Sequence, residues 1–263
     1  PPRSTLFPYT TLFRSYVPPL EYREPFWFDA FDADWAVRNK SNGANTRLDE
    51  TRGGKQVYEG FVHTFARLLP PDRYYDAHPE WYSLIDGKRS KDAQLCLTNE
   101  QMRQEFVRNL KERLRANPKA TIASVSQNDG WAGNCQCDRC RAVEEKEGSP
   151  AGLMLQFVNA VAADTEEDFP NVAIDTLAYT YTQRPPAHVR PSKNVIVRLC
   201  NYKSSFSKPL TAPCNKEFHD DLTAWSKACE RVYVWNYVTD FAHYVQPHPN
   251  LRVLGPNVRF FIE

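Results

Sequence analysis

The alternation of short β-rich runs with longer runs of helical periodicity constrains the fold more than any other feature of this chain. From about residue 20 onward, the β-rich runs are separated by helical runs or loops. Parallel strands joined by crossover helices produce this order, so the sequence predicts an α/β protein with a parallel sheet. The predicted strands are Glu21–Phe28, Gly60–Phe65, Ala93–Thr98, Ala120–Gln127, Val172–Tyr181, Asn194–Cys200 and Arg231–Tyr237.

Three helices are predicted between these strands. Over Glu100–Ala116 the apolar residues recur at helical spacing, and Asn99 is well suited to cap the first turn. Pro118 is expected to end this helix, because a proline disfavours helical backbone in the residue before it. The other two predicted helices are Gly152–Asp168 and Lys216–Cys229.

The number and order of the predicted strands favour one α/β architecture. A doubly wound sheet alternates in the same way, but a nucleotide-binding member should have a glycine-rich turn after its first strand. The chain has no such turn there. Seven strands are one short of a barrel of eight, so we expect an incomplete (β/α)8 TIM-type barrel whose eighth strand is missing.

The two ends of the chain differ from the rest. Residues 1–15, PPRSTLFPYTTLFRS, repeat Thr-Leu-Phe and resemble a translated sequencing adapter, as in some metagenomic reading frames. The last residues, 257–263, stop inside an amphipathic segment. We therefore expect residues 16–263 to form one barrel domain truncated at its C-terminus, and we expect this fragment to be inactive on its own.

Composition limits the classes of partner. The 33 Lys and Arg residues nearly balance the 32 Asp and Glu residues, so no field of a single sign attracts nucleic acid or an anionic membrane. No apolar run approaches the roughly 18 residues of a membrane span. The aromatic fraction of 13% and the 20 prolines suit a loop-rich protein with aromatic clefts, as carbohydrate binders have, although large cores also contain many aromatic residues. The sequence gives no indication of the oligomeric state.

Polar and aromatic residues gather at the C-terminal ends of the predicted strands, where barrel enzymes place their catalytic groups. Asp129 is the predicted general acid, since Trp131 beside it would desolvate the carboxyl. The alternative is that Asp129 only caps the turn that Asn128 and Gly130 favour. The predicted substrate contacts are His63, Gln127, Asn128, Trp131, Tyr179, Tyr181, Arg198, Trp235, Asn236 and Asp240.

Several of these residues have an alternative structural role. His63 is predicted to bind a sugar hydroxyl or shuttle a proton, or else to be a packed side chain between Phe61 and Phe65. Arg198 would form a fork on a uronic acid carboxylate if it faces the cleft, or an internal salt bridge if it does not. Because parallel strands all end on the same side of the sheet, we expect five side chains to lie together there: Gln127, Asp129, Tyr179, Arg198 and Trp235.

The sharpest local pattern is the cysteine run Cys135-x-Cys137-x-x-Cys140. Three thiolates within six residues can wrap one tetrahedral zinc ion and need one further ligand, for which Cys214 or Cys200 are the candidates. The alternatives are reduced thiols or one bridge to Cys214. Any zinc would be structural and would pin the loop beside Asp129, and no cofactor is expected for catalysis. The two other cysteines, Cys96 and Cys229, are predicted to be small core residues.

Six ordered runs resemble a bacterial family catalogued as domain of unknown function 4838. They are HPEWYSLIDGKR (78–89), QLCLTNEQ (94–101), SVSQNDGWAGNCQCDRC (124–140), IDTLAYTYT (174–182), NVIVRLCN (194–201) and WNYVTDFAHY (235–244). Members resemble (β/α)8 barrels distantly similar to α-glucuronidases and β-hexosaminidases. The resemblance implies polysaccharide breakdown and an extracellular or periplasmic location. The family pattern has Asp where this chain has Asn236, and Asn where it has Asp240.

The resemblance implies a glycoside-hydrolase-like protein that cleaves polysaccharide by general acid/base catalysis. Hydrolysis of a glycosidic bond normally needs two carboxyl groups that flank the bond, and related barrels draw one from the last strand. The alternatives are a carbohydrate-binding barrel that has lost catalysis and a structural zinc-bearing accessory domain.

Overall fold

The computed structural model describes residues 56–130, 133–238, 240, 242–243 and 246–262. The predicted strand Glu21–Phe28, the adapter-like residues 1–15 and Trp131 lie outside these ranges. The chain divides into two compact units. The first unit contains residues 57–200 and 220–232, and the described part of the second contains Gln56, residues 201–219 and residues 233–262.

Among the described residues, the main sheet has five strands, and their order in space follows their order along the chain. They are β1 (Tyr58–Glu59), β4 (Ile122–Ser124), β5 (Ala173–Ala178), β6 (Val195–Asn201) and β7 (Val232–Asn236). The pairs β1/β4, β4/β5 and β5/β6 are parallel. The short strands β2 (Leu84–Ile85) and β3 (Lys88–Arg89) form a separate antiparallel hairpin. The prediction of an α/β protein with a parallel sheet is confirmed.

Seven helices connect and flank the strands within the described residues. They are α1 (Phe65–Leu68), α2 (Pro71–Tyr74), α3 (Glu100–Ala116), α4 (Asp138–Glu147), α5 (Pro150–Glu166), α6 (Lys216–Ala228) and α7 (Leu251–Ile262). Single 3-10 turns lie at Pro79–Trp81, Thr180–Thr182 and Pro213–Asn215. Local chemistry explains the sharp starts of the two longest helices. The side chains of Asn99 and Ser149 accept hydrogen bonds from the backbone N–H groups of Met102 and Ala151, which would otherwise lack a helical partner.

The main core of the first unit joins α3 and α5 to the buried strands β4 and β5. Three phenylalanine rings meet edge to face at its centre, with centroids 5.8 Å apart for Phe65 and Phe106, 5.9 Å for Phe65 and Phe157, and 5.2 Å for Phe106 and Phe157. Burying each such ring contributes roughly 1.5–3 kcal/mol. The N-terminus of α1 is therefore tied to both long helices.

Two predicted strands are not strands in the structure. Over Gly60–Phe65 the chain leaves β1 at Glu59, and Gly60, Val62 and His63 have φ values of 66°, 45° and 53°, which end the extended backbone. Over Ala93–Thr98 only one bridge forms, between Tyr82 and Leu95. Both segments are rich in β-forming residues, but tertiary contacts decide their backbone.

An ion pair is buried between β5 and β6. The Nε and Nη2 atoms of Arg198 donate to Asp175 Oδ2 over 3.0 and 2.6 Å, and Nη2 also donates to Tyr58 Oη over 2.6 Å. Both charged side chains are 0% exposed. Burial raises the pKa of Asp175, and the Arg198 guanidinium opposes that rise. Arg198 therefore forms an internal salt bridge, the alternative role given above. The prediction that it contacts a substrate carboxylate is wrong, because its side chain is fully buried.

The second unit is held by amide side chains. The Asn215 Nδ2 atom donates to the carbonyl oxygens of Ser205, Lys208 and Pro209, and its Oδ1 accepts from the Ser205 N–H. In α7, Asn257 Oδ1 accepts from the Leu210 N–H over 2.9 Å. Within the described part of the chain, no helix is long and apolar enough to cross a membrane.

Replacing Arg198 by Met should lower the free energy of unfolding by about 3–5 kcal/mol, because Asp175 would stay buried without its cation. Urea unfolding of the purified chain measures this difference. The control is Lys111→Met, which breaks the more exposed ion pair with Asp168 and should leave the midpoint nearly unchanged. A loss below about 1 kcal/mol for Arg198→Met would contradict a buried pair that matters for stability.

Candidate functional site

Three side chains meet at the edge of the sheet where β1, β4 and β5 end. They are His63, Asp129 and Tyr179, and each follows one of these parallel strands. Asp129 Oδ1 accepts a hydrogen bond from Tyr179 Oη over 3.3 Å and lies 3.9 Å from His63 Nε2. The imidazole and phenol ring centroids are 6.0 Å apart. Of the five residues predicted to converge, Asp129 and Tyr179 therefore lie together here, and His63, which was not among the five, lies beside them. Arg198 is buried within the sheet instead.

The His63 ring is oriented by the backbone after β4. Its Nδ1 lies 2.8 Å from the carbonyl oxygen of Gln127. A carbonyl oxygen only accepts, so the contact assigns the proton to Nδ1 and leaves the Nε2 lone pair directed toward the Asp129 side. The His63 N–H donates to Ser126 Oγ over 2.8 Å, which fixes the main chain at the same place.

Left-handed backbone is concentrated around this site. Val62 and His63 itself have positive φ, and Thr180, with φ 52°, directly follows Tyr179. Two of these residues are β-branched, for which such φ values are unfavourable by about 1–3 kcal/mol each. Strain of this kind accumulates at functional sites, where the surrounding structure holds a side chain in one direction.

Asp129 is more exposed than the sequence predicts. Its side chain is 71% exposed, and Trp131, which was expected to desolvate it, lies outside the described residues. Its Oδ1 also accepts from the Gly130 N–H over 3.0 Å, the turn contact that was the alternative role. Asp129 is thus both a turn residue and an accessible carboxylate.

The side chains of Gln127 and Asn128, both predicted to contact substrate, hold the loops around the site together. Gln127 is buried, and its Nε2 donates to Thr182 Oγ1 over 2.8 Å and to the Tyr179 carbonyl over 3.2 Å. Asn128 Oδ1 accepts from the Ala66 N–H, and its Nδ2 donates to the carbonyl oxygen of Ala93. These amides tie together the loops that carry His63, Asp129 and Tyr179.

Tyr181 does not lie in a strand, although the sequence predicts one over Val172–Tyr181, because β5 ends at Ala178. A 3-10 turn begins at Thr180, and Tyr181 lines a separate small cavity with Glu144 and Met154. Burial raises the pKa of Tyr181, and burial also raises the pKa of Glu144. The structure therefore assigns Tyr181 to this cavity.

The remaining predicted contacts belong to the second unit. Trp235 is half-buried, with its ring centroid 6.4 Å from that of Tyr237. Asn236 is buried, and its Oδ1 accepts from Asn201 Nδ2 over 2.8 Å. Asp240 Oδ1 accepts from the backbone N–H groups of Ala242 and His243, as in a side-chain-capped turn.

Four cysteines form a compact cluster in the first unit: Cys96, Cys135, Cys137 and Cys140. Their sulfur atoms all lie within 4.8 Å of one another, and every cysteine is free of disulfide bonds. Cys96 Sγ is 3.7 Å from Cys137 Sγ and 3.9 Å from Cys140 Sγ. Four cysteines in this arrangement could hold a metal ion.

The fourth cysteine corrects the sequence prediction. Cys96, expected in the core, occupies the place for which Cys214 and Cys200 were candidates. Cys214 is exposed and lies in the second unit, and Cys200 is buried in β6. Sequence spacing could not identify Cys96, because it precedes the other three by a long connection that includes α3.

Polar groups surround the sulfur atoms. Cys135 Sγ accepts from the Leu84 N–H over 3.3 Å and lies 3.8 Å from Arg89 Nη1, so the β2–β3 hairpin covers one side of the cluster. Thr98 Oγ1 is 3.3 Å from Cys140 Sγ. These contacts can support negative charge on sulfur.

The thiols influence one another strongly. Hydrogen bonds with Cys135 and Cys140 lower the pKa of Cys96, and hydrogen bonds with Cys135 and Cys96 raise the pKa of Cys140. For Cys135, the Cys140 thiol acts to lower the pKa, but the bond to Cys96 and burial raise it to about 11. The pKa of Cys96 is thus lowered by the same neighbours whose own pKa values are raised.

Comparison with known proteins gives a family but no named relative. No curated protein matches the chain. A family model described as "Domain of unknown function (DUF4838)" matches residues 1–263, which is the whole sequence. Since the match spans every residue, the chain belongs to the DUF4838 family.

Proposed function

We propose that this protein is glycoside-hydrolase-like and acts on a polysaccharide through general acid/base chemistry at Asp129. One observation carries the proposal: an accessible carboxylate lies at the C-terminal edge of a parallel sheet, between a tyrosine hydroxyl and a histidine ring. Barrel enzymes place their catalytic groups at this edge. A carboxyl group within reach of the glycosidic oxygen is the usual proton donor in this chemistry.

The neighbours of Asp129 suit a sugar ligand. The hydrogen bond from Tyr179 holds the carboxylate in one orientation, and the phenol ring offers a face for the C–H surface of a pyranose. His63 Nε2 can accept a hydrogen bond from a sugar hydroxyl, since Nδ1 is already bonded to the Gln127 carbonyl. A sugar seated over these groups would bring its glycosidic oxygen within hydrogen-bond reach of the Asp129 carboxyl group, as general acid catalysis requires.

We also propose that the sheet belongs to a (β/α)8 barrel. The five strands are added in sequence order with no reversal. A doubly wound sheet reverses its strand order at a switch point, whereas a barrel does not. The helix α3 between β1 and β4, and α6 between β6 and β7, fit the barrel order.

Polysaccharides do not enter cells intact, so this proposal includes an extracellular or periplasmic location.

A carbohydrate-binding protein without hydrolytic activity is the second candidate. The contact between Asp129 Oδ1 and the Gly130 N–H favours it, because a turn residue needs no catalytic task. Hydrolysis also needs a second carboxylate about 5–9.5 Å from the first. A protein that cleaves no polysaccharide, and whose binding is unchanged by the substitution Asp129→Asn, would fit this candidate.

Asp129→Asn should reduce hydrolysis by about 10²–10⁴-fold while leaving polysaccharide binding intact, because the amide keeps the shape but cannot transfer a proton. The measurement is release of reducing sugar from glucuronoside, hexosaminide and mixed polysaccharide substrates. Asp76→Asn is the matched control, since Asp76 is an exposed carboxylate in a turn after α2. Full activity in Asp129→Asn would contradict the assignment.

Tyr179→Phe and Tyr179→Ala separate the hydroxyl from the ring. The first removes one hydrogen bond and should weaken binding by up to about tenfold, since a typical hydrogen bond contributes about 0.5–1.5 kcal/mol. The second also removes the stacking face and should weaken binding further. Affinity electrophoresis in gels containing the polysaccharide that the wild type binds measures both. Equal mobility of the wild type and Tyr179→Ala would exclude Tyr179 from the binding surface.

A further inference from the structure

We propose that Cys96, Cys135, Cys137 and Cys140 bind one zinc ion that holds the loop carrying Asp129 in place. A regular tetrahedron with metal–sulfur bonds of about 2.3 Å has sulfur–sulfur edges of about 3.8 Å. The distances from Cys96 Sγ to Cys137 and Cys140, 3.7 and 3.9 Å, match these edges. A disulfide would bring two sulfurs to about 2.05 Å, and each of the four is a free cysteine.

The donor set selects the ion by chemistry. Four thiolates are soft ligands, which suit zinc and exclude magnesium and calcium. Four protein ligands also fill a tetrahedral zinc, so no open position remains for water or substrate. The ion is therefore structural and is separate from the hydrolysis proposed at Asp129.

Three of the four cysteines are buried, and polar groups that suit a bound metal ion lie beside the sulfur atoms. Cys96 and Cys140 are 1% and 0% exposed, and Cys135 is 2% exposed. Zinc with four thiolates carries two negative charges, and the Leu84 N–H and the Arg89 guanidinium at Cys135 Sγ can offset them. Metal binding releases the protons of the thiols. The charge of the bound ion then offsets the repulsion between neighbouring thiolates.

The four ligands join segments that are distant in sequence. Cys96 follows β3, Cys135 and Cys137 lie in the loop after β4, and Cys140 lies in the first turn of α4. Gln94, two residues before Cys96, makes hydrogen bonds with Asn128 and Gly133, which lie on either side of Asp129 in sequence. Its Oε1 accepts from the Asn128 N–H, its Nε2 donates to the Asn128 carbonyl, and its own N–H donates to the Gly133 carbonyl.

These hydrogen bonds connect the zinc ligands to the loop that carries Asp129. Asp129 lies between Asn128 and Gly133, the two positions that Gln94 fixes. A Cβ at Gly133, where φ is 105°, would approach Ala93 Cβ to 3.4 Å, so the loop passes close to the Cys96 segment. The metal ties that segment to Cys135, two residues after Gly133. Its loss should therefore loosen residues 128–130 and 133–137 before it unfolds the helices.

Metal analysis of the purified wild-type chain tests the proposal. Inductively coupled plasma mass spectrometry should find about one zinc per chain, released by a mercurial thiol reagent and detected with a colorimetric zinc indicator. This measurement needs no variant. Less than a tenth of an equivalent of zinc after growth in zinc-supplemented medium, or iron in place of zinc, would overturn the proposal.

Two cysteine variants identify the fourth ligand. Cys96→Ser should lose at least nine-tenths of the zinc, whereas Cys214→Ser should keep it, because Cys214 is exposed and outside the cluster. If Cys96→Ser does not fold, cobalt(II) added to the metal-depleted wild type provides a second readout through thiolate-to-metal charge-transfer absorption. Zinc loss in Cys214→Ser with retention in Cys96→Ser, or no charge-transfer band, would contradict the assignment.

Hydrogen exchange tests the positional role. After zinc removal, the backbone amides of residues 128–130 and 133–137 should exchange at least tenfold faster, while those of α5 should change little. Readdition of zinc should restore the slow exchange. Unchanged exchange in these two segments would show that the metal stabilises only its own ligands and would contradict the claim that it holds the Asp129 loop.

Discussion

The candidate site depends on the hydrogen bonds that hold residues 124–129 as the chain leaves β4. On one side, the Ser126 carbonyl accepts from the N–H groups of Thr64 and Phe65, and Thr64 Oγ1 donates to the Ser124 carbonyl. On the other side, Asn128 is bonded to Gln94 and Ala93. One run of backbone therefore sets the positions of His63 and Asp129 together. The strained backbone at Val62 and His63 persists because these contacts determine it.

Behind this edge, the sheet is stabilised by polar as well as apolar burial. Arg198 and Asp175 connect β6 to β5, and Tyr58 connects both to β1. The Arg198 guanidinium lies 5.5 Å from the Tyr58 ring centroid and 5.4 Å from that of Phe61. Removing one charge would leave the other buried and unpaired, which is costly. The pair therefore fixes the relation between the three strands whose ends carry or adjoin the site.

Local signals predicted the parts of the fold that local chemistry decides. The helix over Glu100–Ala116 was predicted with both ends as observed, because Asn99 and Pro118 act within one turn. Strands β4, β5 and β6 lie almost entirely inside their predicted ranges, since they are buried on both faces and rich in apolar residues. The sequence did not predict α4, because its start falls inside the cysteine loop.

Long-range contacts decided what the sequence missed. The backbone at Val62 and His63 turns left-handed because of hydrogen bonds to Ser126, some sixty residues away, so a strand was predicted there instead. The role of Cys96 depends on the contact of its segment with the loop after β4, which no spacing rule reveals. The burial of Arg198 likewise depends on its partners Asp175 and Tyr58 across the sheet. By contrast, the expectation that side chains after parallel strands lie together holds for Asp129 and Tyr179, and the structure adds His63 to them. It does not hold for Arg198, which is buried within the sheet.

Carbohydrate binding at the edge formed by the ends of β1, β4 and β5 can be followed by an NMR titration of the isotope-labelled chain with mixed oligosaccharides. We expect the His63 imidazole, the Asp129 backbone amide and the Tyr179 ring signals to shift together along one saturation curve, while the signals of α3 stay unchanged. Saturable shifts confined to residues remote from this edge, with His63, Asp129 and Tyr179 unaffected, would show that the carbohydrate binds elsewhere.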